Sequence, residues 1–131
     1  MPATQSTTTV RELVPLLMAS AIERSVQFYQ ERLGFELTQK WEPEGKLGWC
    51  RLVRDGAAIM LQQACDEDGP AAGRGRGVCF YFNCDDVQAL FAEFTERGLA
   101  LQPPTAAFYG MNQIFVNDPD GYELCFQSAI E

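Results

Sequence analysis

Hydrophobic and polar residues follow the same pattern twice along the chain, once in residues 14–63 and once in residues 78–128. Each block opens on a short apolar run that is typical of a strand, Val14 to Met18 in the first and Val78 to Phe82 in the second. Apolar residues at helical spacing follow, namely Ile22, Val26, Tyr29 and Leu33, and then Val87, Leu90, Phe91 and Phe94. The blocks repeat at an offset of about 64 to 65 positions, which predicts two copies of one structural unit.

The ends of the two predicted helices carry local signals. Each start combines a short polar residue with a Glu or Gln three positions later, the spacing of a reciprocal cap on exposed backbone amides. Each helix ends on a glycine, the residue for which a left-handed cap costs least. The cap pairs are Ser20 with Glu23 and Asp85 with Gln88, and the terminal glycines are Gly34 and Gly98.

Three strands are predicted after each helix, so each unit reads βαβββ. Asp-Gly pairs at residues 55–56 and 120–121 lie between alternating runs and indicate hairpins. The predicted strands are 35–39, 48–53 and 57–63 in the first unit, and 99–102, 113–117 and 122–128 in the second. The predicted organisation is a flexible tail at residues 1–11 and one α+β domain at 12–131. That domain consists of module 12–65, a polar and glycine-rich linker 66–77, and module 78–128.

The charge balance limits the partners. A formal net charge of -8, with no histidine, makes nucleic acid and anionic membrane surfaces poor partners. It favours a cationic ligand, although most acidic proteins are acidic only for solubility. The five cysteines form no Cys-x-x-Cys pair, and most lie in apolar stretches, which predicts free thiols in a reducing compartment. No apolar run approaches the roughly 18 residues of a membrane span, and the first nine residues lack the features of a signal peptide. A soluble, cytoplasmic protein is expected.

Several short motifs occur in a characteristic order. They are Ile22-Glu23-Arg24-Ser25 and Phe28-Tyr29 ahead of Leu33-Gly34-Phe35, the strand Met60-Leu61-Gln62-Gln63, and Tyr109-Gly110 ahead of Asp118-Pro119-Asp120-Gly121. Together they resemble the glyoxalase, bleomycin resistance and extradiol dioxygenase superfamily over about residues 12 to 128. The resemblance implies two tandem βαβββ modules that form a curved mixed sheet around a ligand cleft. It does not by itself imply a reaction.

Enzymes of that superfamily hold a divalent metal with His, Gln or Glu side chains on the first and fourth strands of each module. By resemblance, the corresponding positions here are Val14, Met60, Cys79 and Cys125, and none carries a hard ligand. The predicted metal and cofactor content is therefore none. A soft-metal or redox pair of Cys79 and Cys125 remains an alternative, although buried inert thiols are more common.

Strand alternation divides the residues into a core face and a cleft face, because residues two apart share a face. The cleft face mixes aromatic and hydrogen-bonding side chains, as small-molecule sites do. The predicted ligand-binding residues are Trp49, Arg51, Met60, Gln62, Cys79, Tyr81, Tyr109, Met111, Gln113, Phe115, Glu123 and Cys125. Aromatic rings could stack on a planar or cationic ligand. Arg51 could instead simply neutralise Glu123.

Three functional hypotheses follow. The leading one is a metal-free protein of the bleomycin resistance type that sequesters an aromatic small molecule, either cationic or neutral. The second is a glyoxalase-like lyase or isomerase with an unusual metal site or with Glu123 as general base. The third is an interaction module with a filled cleft. The resemblance also implies a homodimer whose clefts are completed across the subunit boundary.

Overall fold

The structure is a computed structural model, and it describes residues 4–130. Residues 4–15 form no helix or strand and are mostly exposed. Eight strands and two α-helices follow in two blocks separated by residues 64–78, with short 3-10 helices at Pro43–Gly45 and Asp66–Asp68. They are β1 (Leu16–Ala19), α1 (Ile22–Glu31), β2 (Glu36–Trp41), β3 (Trp49–Arg54), β4 (Ala57–Gln63), β5 (Cys79–Asn83), α2 (Val87–Glu96), β6 (Thr105–Ala106), β7 (Met111–Asn117) and β8 (Glu123–Ala129).

Each block forms one four-stranded mixed sheet, in the order β1-β4-β3-β2 for the first and β5-β8-β7-β6 for the second. The first and last strands of each block pair in parallel, and the remaining pairs are antiparallel. Leu16 lies opposite Met60 in the first sheet, and Tyr81 lies opposite Cys125 in the second. These registers are equivalent at an offset of 65 residues. The predicted α+β fold with two tandem βαβββ modules is therefore confirmed.

One strand lies away from its predicted position. Residues 99–102 form no strand, and β6 is instead a two-residue strand, Thr105–Ala106, at the edge of the second sheet. Pro103 and Pro104 lie between the two segments and lack the N–H that a sheet ladder needs. Leu99 and Leu101 still pack against the core, which accounts for their strand-like pattern.

Both predicted helix caps are wrong in detail. Ala21, rather than Ser20, precedes α1 and makes no side-chain cap. In the second module, the cap is Asp86, one residue after the predicted Asp85, and its carboxylate accepts from the amides of Gln88 and Ala89. The Asp85-Asp86 pair offered two equivalent candidates, and only the backbone conformation selects between them.

The last strand of each module supplies a second cap that the sequence did not predict. The side-chain oxygen of Gln63 accepts from the amide of Ile22 at 2.9 Å, and the hydroxyl of Ser128 accepts from the amide of Val87 at 2.9 Å. These are equivalent positions in the two modules. Each module therefore fixes its helix against its own fourth strand by the same device, with a different residue type.

The two modules share one hydrophobic core. Phe35 meets Phe82 edge to face with ring centroids 6.0 Å apart, and Phe82 stacks on Phe126 at 4.6 Å. Leu17, Leu52, Leu61, Ile114 and Leu124 are all at most 2 % exposed, and all belong to the predicted core face of their strands. Burial of these side chains is the main stabilising contribution to the fold.

The β7–β8 turn ties the second module to the first. Asp118 is 6 % exposed and accepts from the hydroxyl of Tyr29 on α1 at 2.8 Å. Asp120 accepts from the amide of Ser20 at the start of α1, where a carboxylate also faces the positive end of the helix dipole. Tyr122 binds the backbone of Met18 through its hydroxyl. Carboxylates from one module thus complete the helix start of the other.

Arginines connect the carboxyl ends of the two helices. Arg32, which caps α1, donates to the carbonyl of Arg97, and Arg97, which caps α2, donates to the carbonyl of Glu31 at 3.2 Å. Arg54 adds a bidentate pair to Glu93 at 2.7 and 2.8 Å and also binds the carbonyl of Leu33. Cations are favourable at helix carboxyl ends, so the contacts stabilise both helices and the module interface.

The Arg54–Glu93 ion pair should make the effect of Glu93→Gln on the free energy of unfolding depend on pH. Hydrogen bonding by Arg54 lowers the pKa of Glu93 from 4.5 to about 2, so the stabilisation is present above pH 4.5 and is lost as the pH falls toward 2. Urea denaturation should show a loss of about 1 kcal/mol at pH 7, because the pair is partly solvated. The difference should vanish near pH 2, while Glu96→Gln on the same helix serves as the control. An equal loss at both pH values would contradict the ion-pair origin.

Neither helix in residues 4–130 has the length or apolar content needed to cross a bilayer.

Candidate functional site

The predicted binding residues lie on two open sheet faces, one in each module. The first face carries Trp49, Arg51, Met60 and Gln62, and the second carries Cys79, Tyr81, Tyr109, Met111, Gln113, Phe115, Glu123 and Cys125. In the first sheet these side chains alternate with buried core residues. In the second sheet Gln113 and Cys125 are themselves buried, and Tyr109 lies in the turn before β7. The face is thus a consequence of strand periodicity.

The second face carries a row of two aromatic rings around a thiol. Tyr81, Cys125 and Phe115 lie directly opposite one another on β5, β8 and β7. Tyr81 is 51 % exposed and Phe115 is 45 % exposed, whereas Cys125 is fully buried between them. Two strand spacings separate the strands that carry the rings, about 9.5 Å. The row therefore forms a shallow trough with aromatic walls and a small apolar floor.

Polar side chains form a hydrogen-bonded ladder beside this trough. Gln113 donates to Gln127 at 3.0 Å, and Gln127 donates to Asn83 at 2.9 Å. The hydroxyl of Tyr109 joins the ladder at Gln113 and Gln127 and also lies beside the hydroxyl of Tyr81, which raises the pKa of Tyr81. Gln113 is 7 % exposed, so its amide is held by the fold. The ladder orients Tyr109 over one end of the trough.

Glu123 and Cys79 lie at the other end of the trough and face each other on β8 and β5. Burial, and then the neighbouring carboxylate of Glu123, raise the pKa of the Cys79 thiol to about 12. Glu123 is exposed and makes no ion pair among the described residues. Its carboxylate is therefore accessible to a cationic group above the trough.

The first face is smaller and partly compensated. Trp49 lies opposite Gln62 and beside Trp41, which is 61 % exposed. Arg51 forms an ion pair with Glu12 at 3.4 Å. The suggestion that Arg51 neutralises Glu123 is wrong for the single chain, because its partner is Glu12 and Glu123 lies on the other sheet. Within residues 4–130, no hydrogen bond or ion pair joins the first set of binding residues to the second.

Comparisons with known proteins identify the family. The family model of the glyoxalase/bleomycin resistance protein/dioxygenase superfamily matches residues 12–126. The chain belongs to this superfamily. None of the curated proteins that were compared matches the sequence.

Several solved structures show the same fold at low sequence identity. TnmS3, an antibiotic binding protein from Streptomyces sp. CB03234, is 24 % identical with a TM-score of 0.69, over 93 % of this chain and 99 % of that one. A glyoxalase-related enzyme from Clostridium phytofermentans is 16 % identical with a TM-score of 0.75, over 96 % and 100 %. A superfamily protein from Nocardioides is 19 % identical with a TM-score of 0.70, over 95 % and 88 %. The neighbours thus include a protein described as an antibiotic binding protein and one described as a glyoxalase-related enzyme.

The residues at the metal positions of the superfamily do not fit a divalent metal in this chain. Val14 and Met60 supply an apolar side chain and a thioether in the first module. Cys79 and Cys125 supply thiols in the second, and burial raises their pKa values to about 12 and about 11. Both thiols are therefore protonated in the metal-free chain, and two thiols alone fall short of the four donors that zinc usually requires. No group of three potential ligands gathers anywhere in residues 4–130.

Cysteine labelling should follow this distribution. A maleimide at pH 7 should react fastest with Cys65, which is exposed, and slowly with Cys79, Cys84 and Cys125, whose burial raises their thiol pKa values. Intact-mass spectrometry of the native protein should then show one rapid addition, and denatured protein should show five. Rapid modification of Cys79 or Cys125 would contradict the inert-thiol interpretation and favour the soft-metal alternative.

Two contributors to the faces were not predicted. Asn83 ends the amide ladder, and its position two residues after Tyr81 places it on the same face by simple alternation. Glu12 reaches Arg51 from the irregular segment before β1, for which no periodic signal exists. Strand alternation could therefore have predicted Asn83, whereas no sequence pattern indicated Glu12.

Proposed function

We propose that this protein binds and sequesters a small aromatic compound that carries a positive charge, and that it does so without metal chemistry. The observation that carries the proposal is the row of Tyr81, Cys125 and Phe115 on the open face of the second module. Two half-exposed rings on a rigid sheet offer stacking surfaces whose positions the strand registers fix. Superfamily membership supplies the binding scaffold.

The dimensions of the trough suit a flat ligand. Aromatic rings prefer offset-stacked or edge-to-face arrangements, with ring centroids about 4.5 to 7 Å apart. A planar group inserted between walls about 9.5 Å apart can therefore contact both rings after small side-chain rotations. The thiol of Cys125 beneath it is buried, protonated and weakly polar, so the floor adds apolar contact.

Charge selects a cation over an anion. The formal net charge of the chain is -8. Glu123 lies two residues before Cys125 on β8, at one end of the trough. Cations also interact favourably with the faces of Tyr and Phe rings. The ladder from Gln113 to Asn83 offers amide groups to hydrogen-bonding substituents at the opposite end. One end of the ligand would therefore be positive and the other polar but neutral.

A structural neighbour adds independent support. TnmS3 is described as an antibiotic binding protein, and it covers nearly all of this chain. At 24 % identity the likeness establishes the fold. The inference of small-molecule binding for this chain rests on the likeness together with the aromatic trough.

We also propose a homodimer in which each trough is covered by the first face of a second copy. Both faces carry large exposed rings, Trp41 on the first and Tyr81 and Phe115 on the second, and exposed apolar area of this kind favours association. Analytical ultracentrifugation should give twice the mass of the chain, and Trp41→Ala should weaken the dimer. A monomer at all concentrations up to about 100 μM would contradict this arrangement.

Binding should be independent of divalent metal. Proflavine, a flat cationic aromatic compound, should bind with a dissociation constant below about 1 mM. Its affinity should be unchanged after dialysis against EDTA. Elemental analysis of the purified protein should give less than one equivalent of any transition metal. Binding that disappears with EDTA and returns with a metal would overturn the proposal in favour of the metal-dependent alternative.

A further inference from the structure

A crevice of about 750 Å³ lies between the two modules and borders the aromatic trough at Cys79 and Tyr81. One wall is the start of β4 with the segment just before β1, and the other is β5, the free edge of the second sheet. The volume lies within the roughly 300 to 1,000 Å³ of small-molecule sites. We propose that this crevice is a second ligand site, for a flat aromatic cation with N–H donors, open in the single chain.

Apolar side chains from both modules line the crevice. Phe35 and Ile59 come from the first module, and Phe82 and Phe126 come from the second. Phe35, Ile59 and Phe126 are otherwise core residues and are at most 4 % exposed. The crevice thus reaches the joint hydrophobic core at the point where the modules meet. A planar apolar ligand would bury its surface there without displacing any charged side chain.

Unpaired backbone groups line the crevice on both sides. The amide of Cys84 binds the carbonyl of Gln127 in β8. Successive residues of an edge strand direct their backbone groups alternately toward the neighbouring strand and away from it. The amides and carbonyls of Tyr81 and Asn83 therefore point away from β8, toward the crevice. On the other wall, the amide of Met60 binds the carbonyl of Pro15. The backbone groups of Ala58 point in the same direction as those of Met60, but the pairing of β4 with β1 begins only at Met60, so no strand lies opposite Ala58. Its carbonyl therefore also points toward the crevice, where it can accept from amino groups.

The charge of the rim is negative. Glu12, Asp55 and Asp85 all border the crevice. Arg54 is the only basic residue among the described lining residues, and it is neutralised by its bidentate pair with Glu93. That pair stays ionised at neutral pH because hydrogen bonding by Arg54 lowers the pKa of Glu93 to about 2. Glu12 pairs with Arg51 at 3.4 Å and Asp55 lies 3.9 Å from Arg54, whereas Asp85 makes no ion pair among the described residues. A cation at the mouth therefore meets the carboxylate of Asp85, and an anion meets repulsion.

A charge-neutralised variant with a matched control tests the site. The crevice variant is Glu12→Gln/Asp55→Asn/Asp85→Asn. The control is Glu36→Gln/Asp66→Asn/Glu67→Gln, which removes the same charge from exposed residues outside the crevice. Proflavine should bind the crevice variant roughly fivefold more weakly than the control variant, since exposed carboxylates contribute modestly. The difference should shrink at high salt. Equal weakening in both variants would mean bulk charge alone and would overturn the proposal.

Mapping by nuclear magnetic resonance separates this site from the trough. Proflavine should shift the amides of residues 57–59 and the methyl groups of Leu90, which lines the crevice and not the trough. These shifts should persist in Phe115→Ala, which removes one wall of the trough. Shifts confined to Phe115 and Glu123 would overturn the crevice site and leave the proposed function intact. Shifts at residues 57–59 and Leu90 without shifts at Phe115 and Glu123 would support the crevice site and overturn the proposed function of the trough. Naphthalene sulfonate, an anionic aromatic, should shift neither set.

Discussion

Asp118→Ala should lower the free energy of unfolding by about 3 kcal/mol, the largest loss expected from any single polar substitution in this chain. The carboxylate accepts three hydrogen bonds, from the hydroxyl of Tyr29 and from the amides of Asp120 and Tyr122, at 2.8 to 3.0 Å. Alanine would leave all three donors without their partner in a region that is nearly inaccessible to water. Urea denaturation at pH 7 measures the loss.

A double-mutant cycle with Tyr29→Phe isolates the inter-module bond from the turn itself. Because Tyr29→Phe removes the same bond from the other side, the coupling between the two substitutions should be about 1 to 2 kcal/mol. Asp66→Ala, at an exposed acidic residue, should change stability by less than 0.5 kcal/mol, roughly the limit for surface positions. A loss below about 1 kcal/mol for Asp118→Ala would mean that the turn does not hold the modules together.

Tyr81→Ala combined with Phe115→Ala should weaken trough binding of a cationic aromatic ligand by about 30-fold or more. The reason is that each stacked ring contributes about 0.5 to 1.5 kcal/mol beyond the burial of its area. Both residues are about half exposed, so stability should change little. Because the crevice is proposed to bind the same class of compound, the trough component should be followed through the resonances of Glu123 and Met111.

Conservative variants provide the matched controls for the trough. Tyr81→Phe keeps the ring and loses the hydroxyl that lies beside Tyr109, so affinity should remain within about threefold of the wild type. Phe115→Leu keeps apolar area and loses the ring face, so it should weaken binding more than Tyr81→Phe does. If the double alanine variant binds as tightly as the wild type, the trough is not the ligand site.

The duplicated fold could be predicted because its determinants are local and periodic. The helical spacing of Ile22 to Leu33 recurs in Val87 to Phe94, and the alternation in residues 57–63 recurs in 123–129. These patterns also determine which side chains reach the open faces, since a strand leaves only two directions for each residue. The prediction failed at residues 99–102, where two leucines pack on the core outside any strand.

The details of the helix starts could not be predicted, because their partners are distant in sequence. Ser20 had the appropriate type and spacing for a cap, yet its amide is bound by Asp120, 100 residues later. Gln63 and Ser128 occupy equivalent capping positions with different side chains, so no shared motif marks them. Long-range hydrogen bonds of this kind depend on module docking, which local propensity does not encode.

The sequence predicted which residues lie on the cleft faces, but it did not predict where the two faces lie relative to each other. Alternation placed Trp49 and Phe115 on cleft faces, but it contained no information on whether the two faces meet within one chain. In the structure the core lies between the modules and the faces lie apart, with their large rings exposed. The placement of Glu12 on Arg51 depends on an irregular segment and was equally inaccessible from the sequence.

Isothermal titration of the EDTA-treated protein with proflavine, and with anthracene carboxamide as an uncharged three-ring aromatic for comparison, tests the proposed function most directly. We expect saturable binding of the cation with a dissociation constant below about 1 mM, and weaker binding of the neutral compound by about fivefold or more. The heat should fall markedly for the cation in the Tyr81→Ala/Phe115→Ala variant. Absence of saturable heat for both compounds up to millimolar concentration would contradict a small-molecule-binding role of this kind.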